Sequence, residues 1–238
     1  MWFPVRSTSG SGDWCAGGGP RVRAVARDFF GCATLAGAEL ENQPTGAGQS
    51  CWGSHWDERV YQTAVMSPLS QDDNYLSALT LALYEDSGWY RANFSSRLLG
   101  VPAWGFMAGC GFATGPCLVG GADGALPAPV AHPFCNGDDS ATDGTGLLGC
   151  SADYRALAYC ATSTWSSDLD DRYQYFSADA ALGGYMQEAD FCPFLVGYSN
   201  GDCRTTDASN GAATDAIYGN AFGDGAACMI ADLIDDGY

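Results

Sequence analysis

The chain has 238 residues, enough for a sizeable core and for one or two domains. Hydrophobic residues make up 47% and aromatic residues 13%, which excludes a disordered chain. The net charge is -18 and the only basic side chains are ten Arg, so nothing here neutralises a nucleic-acid backbone or docks on anionic lipid through a basic patch.

Residues 1–23 are rich in Ser and Gly and read as a loose leader. They hold no apolar run of signal-peptide length. No stretch of the chain reaches the roughly 18–20 apolar residues that span a bilayer. Residues 21–42 carry alternating and helical apolar spacing up to Cys32, with a break at Gly37. Residues 43–54 are rich in Gly and Ser and predict a loop, from which His55 emerges.

The best helix signal follows, in NYLSALTLALYEDSGWY from Asn74. Leu76, Leu79 and Leu83, with Ala78 and Ala82, fall at helical spacings and form one apolar stripe. Asp72, Asp73 or Asn74 is expected to cap its start. Ser87-Gly88 is expected to end it, with Trp89 and Tyr90 packing back. The character changes near residue 100. Residues 100–150 hold many Gly and Pro and four Cys, and residues 151–238 run as short apolar stretches between Asp, Gly and Asn turns. The expectation is a loop-rich module held by disulfides.

Eleven Cys are spread along the chain with no CxxC pair. Zinc-ribbon spacing is therefore absent, and disulfides in an oxidising compartment are the expected use. An odd count leaves at least one Cys without an internal partner. A free thiol, a bond to another chain, and a partner missing from a truncated sequence all remain open. The cysteines imply export while residues 1–23 offer no signal for it, and a chain that is part of a longer one reconciles the two.

Only two His are present. His132, in APVAHPFC, reads as an ordinary loop residue. His55 lies in GSHWDERVYQTAVMSP, after a Gly-containing turn and eleven residues before Met66. Glu58 reads as a solvated surface carboxylate, with a weak His55-x-x-Glu58 ion pair of ligands as the sharper alternative. Cys51 reads as a disulfide partner. Asn93-Phe94-Ser95 is an N-glycosylation sequon just after the expected helix.

Taken in order, these segments resemble the C-terminal portion of the leishmanolysin family of zinc metallopeptidases, which are metzincins. VARDFFGC (25–32) and LAGAELENQ (35–43) lead in, GSHWDER (53–59) and AVMSP (64–68) follow, and LTLALYEDSGWYRANFS (79–95) closes the module. AGCGFATGPC (108–117), FCN (134–136), GC (149–150), FCPFLVGYSNGDC (191–203) and Cys228 continue the pattern. The resemblance covers roughly residues 24–235. It implies that His55 is the third zinc ligand and Met66 the residue of the Met-turn. It also implies the pairs Cys32–Cys110, Cys117–Cys192, Cys135–Cys160 and Cys150–Cys228, and leaves the partner of Cys203 beyond the last residue. Cys15 with Cys51 is a guess outside that pattern.

The family pattern supplies two further His and a general-base Glu from an HExxH helix, in which two His one turn apart face the same metal. That motif does not occur in these 238 residues. The expectation is an α+β protein. Residues 24–100 would be the C-terminal part of a metzincin-like catalytic module, and residues 101–238 a disulfide-rich C-terminal domain. The function implied is zinc-dependent hydrolysis of protein or peptide substrates outside the cell or at its surface, reached through the secretory pathway. Any membrane association would come through parts outside this chain. The chain would be inactive alone, for want of the general base and two ligands. The alternative is a non-catalytic extracellular binding or adhesion module, or a pseudoprotease, on the same scaffold.

Overall fold

A computed structural model describes residues 16–42, 55–69, 74–101, 103–118, 133–136, 149–205 and 222–229. His132, Cys15, Cys51, Asp72 and Asp73 lie outside these residues. The described residues form two compact units. One runs up to Cys117 and takes in Met186–Cys192; the other comprises the rest from Leu118 on. The change of character expected near residue 100 therefore falls inside the first unit.

The first unit opens with strand β1 (Ala16–Gly17), helix α1 (Pro20–Phe30) and strand β2 (Ala38–Glu39). β1 and β2 pair antiparallel. Helix α1 begins inside the stretch expected to be a leader. Pro20 suits the first helical turn, where its missing N–H is not needed. Gly31 ends the helix in the left-handed conformation, at φ 66°, which costs glycine little. Val22, Ala26 and Phe30 repeat every four residues and form its buried face.

Helix α2 (Glu58–Tyr61) and helix α3 (Ala78–Asp86) follow, then helix α4 (Gly109–Thr114). α3 is the expected helix, but it starts later than its apolar stripe suggests. Ser77 caps it, accepting from the Thr80 N–H at 3.3 Å. Leu76 instead bridges to Leu99, and the Asn74 amide donates to the Ala64 carbonyl. The tertiary partners of residues 74–76 thus override their helical spacing. At the other end Tyr90 stacks edge-on against Tyr84, while Trp89 stays 70% exposed and does not pack back. The Asp86 carboxylate accepts from the Arg21 and Val22 N–H groups at 3.1 and 2.8 Å, so the end of α3 caps the start of α1. A side chain at Gly19 would stand 2.7 Å from the Asp86 carboxyl carbon, so glycine is needed there.

The second unit is more regular than its sequence suggests. Strand β4 (Ala156–Thr164) pairs antiparallel with β3 (Gly149–Cys150), β5 (Leu182–Gly184) and β6 (Phe194–Asp202). Ala158, Cys160 and Phe194 are buried in it. Among the described residues, four disulfides close the two units. Cys32–Cys110 and Cys117–Cys192 lie in the first, Cys135–Cys160 and Cys150–Cys228 in the second. These are the pairs the resemblance implies. Cys203 is a buried free thiol whose pKa is pushed up, first by burial. No helix among the described residues is long and apolar enough to cross a membrane. The protein is an α+β fold with a helical unit and a sheet-based unit.

Candidate functional site

Leu40 and Trp56 form an antiparallel bridge in the first unit. Glu41 N donates to His55 O at 3.1 Å, and Asp57 N donates to Glu39 O at 3.1 Å. This short ladder sets Glu41 opposite His55 and Glu39 opposite Asp57. Side chains alternate along a strand, so those four residues share one face while Leu40 and Trp56 take the other. Trp56 is fully buried, and its indole N–H donates to the Thr80 hydroxyl at 3.2 Å.

His55 itself is half exposed, at 46% of its side chain, and its Nδ1 lies 2.7 Å from a carboxylate oxygen of Glu41. A carboxylate oxygen accepts, so Nδ1 carries the donated proton, and in the neutral ring Nε2 then holds the lone pair. Met66 borders this strand through its main chain. Its carbonyl accepts from Trp56 N at 2.9 Å, so the turn through Met66 is tied to the residue after His55. The hydroxyl of buried Ser67 donates to the Gln62 and Ala64 carbonyls at 2.9 and 2.8 Å, which fixes the turn from its other side.

The chemistry of His55 fits a metal ligand. Such imidazoles commonly give their second ring N–H to a carboxylate, which sets the tautomer and orients the ring. It is one ligand, and a tetrahedral catalytic zinc needs three from protein. Glu58 does not supply another. It is fully buried, not solvated as its sequence context suggested, because the backbone turns into α2 directly after Asp57. His55 precedes that helix, so the two side chains are not one helical turn apart on a common face.

Sequence reasoning missed a second constellation beside the first. Arg59 is buried, and its guanidinium donates to Glu39 at 2.9 Å and Asp190 at 3.2 Å. It also donates to the Phe112 carbonyl at 2.9 Å and the Gly115 carbonyl at 3.2 Å, at the end of α4. Asp190 and Phe191 both hold left-handed backbone, at φ 56° and 54°, a conformation the surrounding contacts must stabilise. Oxygen atoms of Glu39, Asp57 and Asp190 come within 4.8 Å of one another. Burial pushes Glu39 up to about 7 against the pull of Arg59, with Asp190 adding to the rise. Burial is also the main reason that Asp57 is raised well above the ordinary range. The guanidinium already supplies the cation of this cluster, which marks it as a structural ion network and not a metal centre. The readable signal was the alternation Glu39-Leu40-Glu41 against His55-Trp56-Asp57.

An apolar cavity of about 70 Å³, lined by Val25, Phe29, Ala64, Leu79 and Trp104 among others, has no carboxyl or imidazole in its wall. At the sequon, Asn93 is exposed and lies in a turn. Its side-chain oxygen accepts from Ser95 N at 3.1 Å and its carbonyl from Ser96 N at 3.2 Å.

A family model described as leishmanolysin matches residues 18–237. The chain belongs to the leishmanolysin family. It is 34% identical to a leishmanolysin of Leishmania tropica over 206 residues, covering 87% of this chain and 28% of that protein. It is 34% identical to a leishmanolysin-like peptidase of Caenorhabditis elegans over 187 residues, 74% of this chain and 27% of that one. For a leishmanolysin-like peptidase of Drosophila melanogaster the identity is 30%, over 88% of this chain and 32% of the relative. The chain thus spans less than a third of the length of these curated relatives. The leishmanolysin family is one of zinc metallopeptidases, and the four disulfides fit a protein made in an oxidising compartment.

Proposed function

We propose that this chain is the third-ligand and Met-turn portion of a zinc metalloendopeptidase that cleaves peptide bonds in protein substrates. The observation that carries the reading is the His55 ring, with Nδ1 bound to Glu41, and the Met66 carbonyl bonded to the N–H of Trp56, the next residue. His55 would hold zinc through Nε2. Met66 would give the site a half-buried, non-ligating base. Zinc, when bound, supplies Lewis-acid polarisation of the peptide carbonyl and activation of water. This chain's own residues orient one ligand and hold the turn. The general base and the other two ligands would come from residues outside these 238, so by themselves they would not cleave peptides. The disulfides support an extracellular or cell-surface setting, and Asn93, exposed in its turn, would be a glycan acceptor there.

The test uses the chain as it is. His55 and His132 are its only imidazoles, so each gives one resolvable ring signal. Added Co²⁺ should broaden the His55 signal at millimolar concentration and leave a His55→Ala variant untouched. Zinc-supplemented chain should leave a denatured protein substrate intact. Zinc-dependent cleavage by the purified chain would overturn the ligand count. Equal broadening of both rings would remove His55 from the zinc reading.

A further inference from the structure

We infer that Glu41 is the positioning residue of His55, holding the ring in its Nδ1–H tautomer so that Nε2 is presented as the donor atom. The inference takes its purpose from the zinc reading above, but the tautomer itself rests on geometry alone.

Three observations converge on it. The first is register: the Leu40–Trp56 bridge sets Glu41 directly across from His55, where Cβ atoms of antiparallel partners stand about 4.5–5.5 Å apart. The second is the contact: Glu41 Oε2 lies 2.7 Å from Nδ1, the short separation of a charge-assisted hydrogen bond. The third is the burial gradient across the pair. The Glu41 side chain is 14% exposed and the His55 side chain 46%, so the anchor is set in the protein while the ring reaches outward. The backbone bond from Glu41 N to His55 O fixes the separation of the two residues at their main chains. A ring held this way loses little freedom on binding a metal, and the carboxylate makes Nε2 a better donor.

Nothing in this arrangement uses the neighbouring ion network. Glu39 and Asp57 occupy the next register position, and Glu39 is bound to Arg59. The register of the strand pair therefore divides the labour, with one cross-strand pair beside the buried arginine and the next carrying the His55 ring. A glutamate that served only packing would leave the histidine tautomer unchanged when removed.

The experiment is ¹⁵N NMR of the two imidazoles in the metal-free chain, with His132→Gln used to assign them. Wild type should show His55 as the Nδ1–H tautomer. Glu41→Ala should move it to the Nε2–H form that an unconstrained histidine side chain prefers. Glu41→Gln retains an acceptor oxygen and should keep the Nδ1–H form, which also controls for loss of folding in the alanine variant. Co²⁺ binding at His55 should weaken about 10–100-fold in Glu41→Ala and less in Glu41→Gln. An Nε2–H tautomer in wild type, or a tautomer indifferent to Glu41→Ala, overturns the inference. If the tautomers behave as stated and Co²⁺ never reaches His55, the ligand role fails while the Glu41–His55 assignment stands.

Discussion

The first unit places an arginine at its centre, whereas the second carries its arginine pairs at the surface. Arg59 is 3% exposed and shares its guanidinium among two carboxyls and the carbonyls that end α4. Arg204 donates to Asp202 at 2.7 Å with both side chains well exposed. Distance alone would rank the second pair higher. Burial reverses the ranking, because water screens Arg204 and competes for its bonds, while nothing replaces Arg59 if it is lost. The second unit relies instead on a β4-centred sheet and two covalent staples.

The sharpest way to break this contrast is Arg59→Met. It leaves Glu39, Asp57 and Asp190 without their cation and the end of α4 without donors. Chemical denaturation should show a loss of about 3–5 kcal/mol. Trp104 donates its indole N–H to the Arg59 carbonyl at 2.9 Å, so its indole N–H resonance reports on the damage. A loss under about 1 kcal/mol would mean that the network is replaceable. Next in size is the joint change Cys135→Ser with Cys160→Ser, which should cost about 2–4 kcal/mol and leave the Trp104 signal of the folded state unaltered.

A third effect is one of pH. Glu39 has a folded pKa of about 7 against an ordinary 4.5, raised by burial. The folded unit keeps a proton that the unfolded chain releases between those values. Its stabilisation is fully present below about 4.5 and is lost as pH rises through about 7. The denaturant midpoint of the first unit should be higher near about pH 5 than about pH 8, and Glu39→Gln should flatten that slope. A midpoint that rises with pH over this range would contradict a protonated buried carboxyl. The smallest effect belongs to the exposed pair. Arg204→Gln should leave the thermal midpoint unchanged within error, and a clear drop would show that the surface pair matters more than its exposure allows.

Part of this was legible in the residues. Leu79, Ala82 and Gly88 mark α3, because capping and periodicity act over one or two turns of chain, whereas the start of α1 falls in the stretch that reads as leader. His55 and Met66 stood out because His is so scarce, and the ordered segments carried the family and the cysteine pairs. The nine-residue strands β4 and β6 were not legible. They pair with each other across more than thirty residues of sequence, as in Cys160 with Leu195, and their alternation is blurred by small residues.

The sequence by itself determined the chemical inventory of this protein: one imidazole eleven residues before Met66, a framework of cysteines, a strongly acidic balance, and membership of a family. Those follow from which residues are present and in what order. Only the tertiary structure decided which carboxylate serves which partner. Glu39, Glu41 and Glu58 are equivalent as letters. Cross-strand register sets Glu41 against His55 and Glu39 against Asp57, where the Arg59 side chain reaches it from α2, and Glu58 is buried at the start of that helix. The physical reason is that Glu39 and Glu41 share one face of the ladder but stand opposite different residues, so pairing across the ladder, and not residue type, assigns each charge its environment.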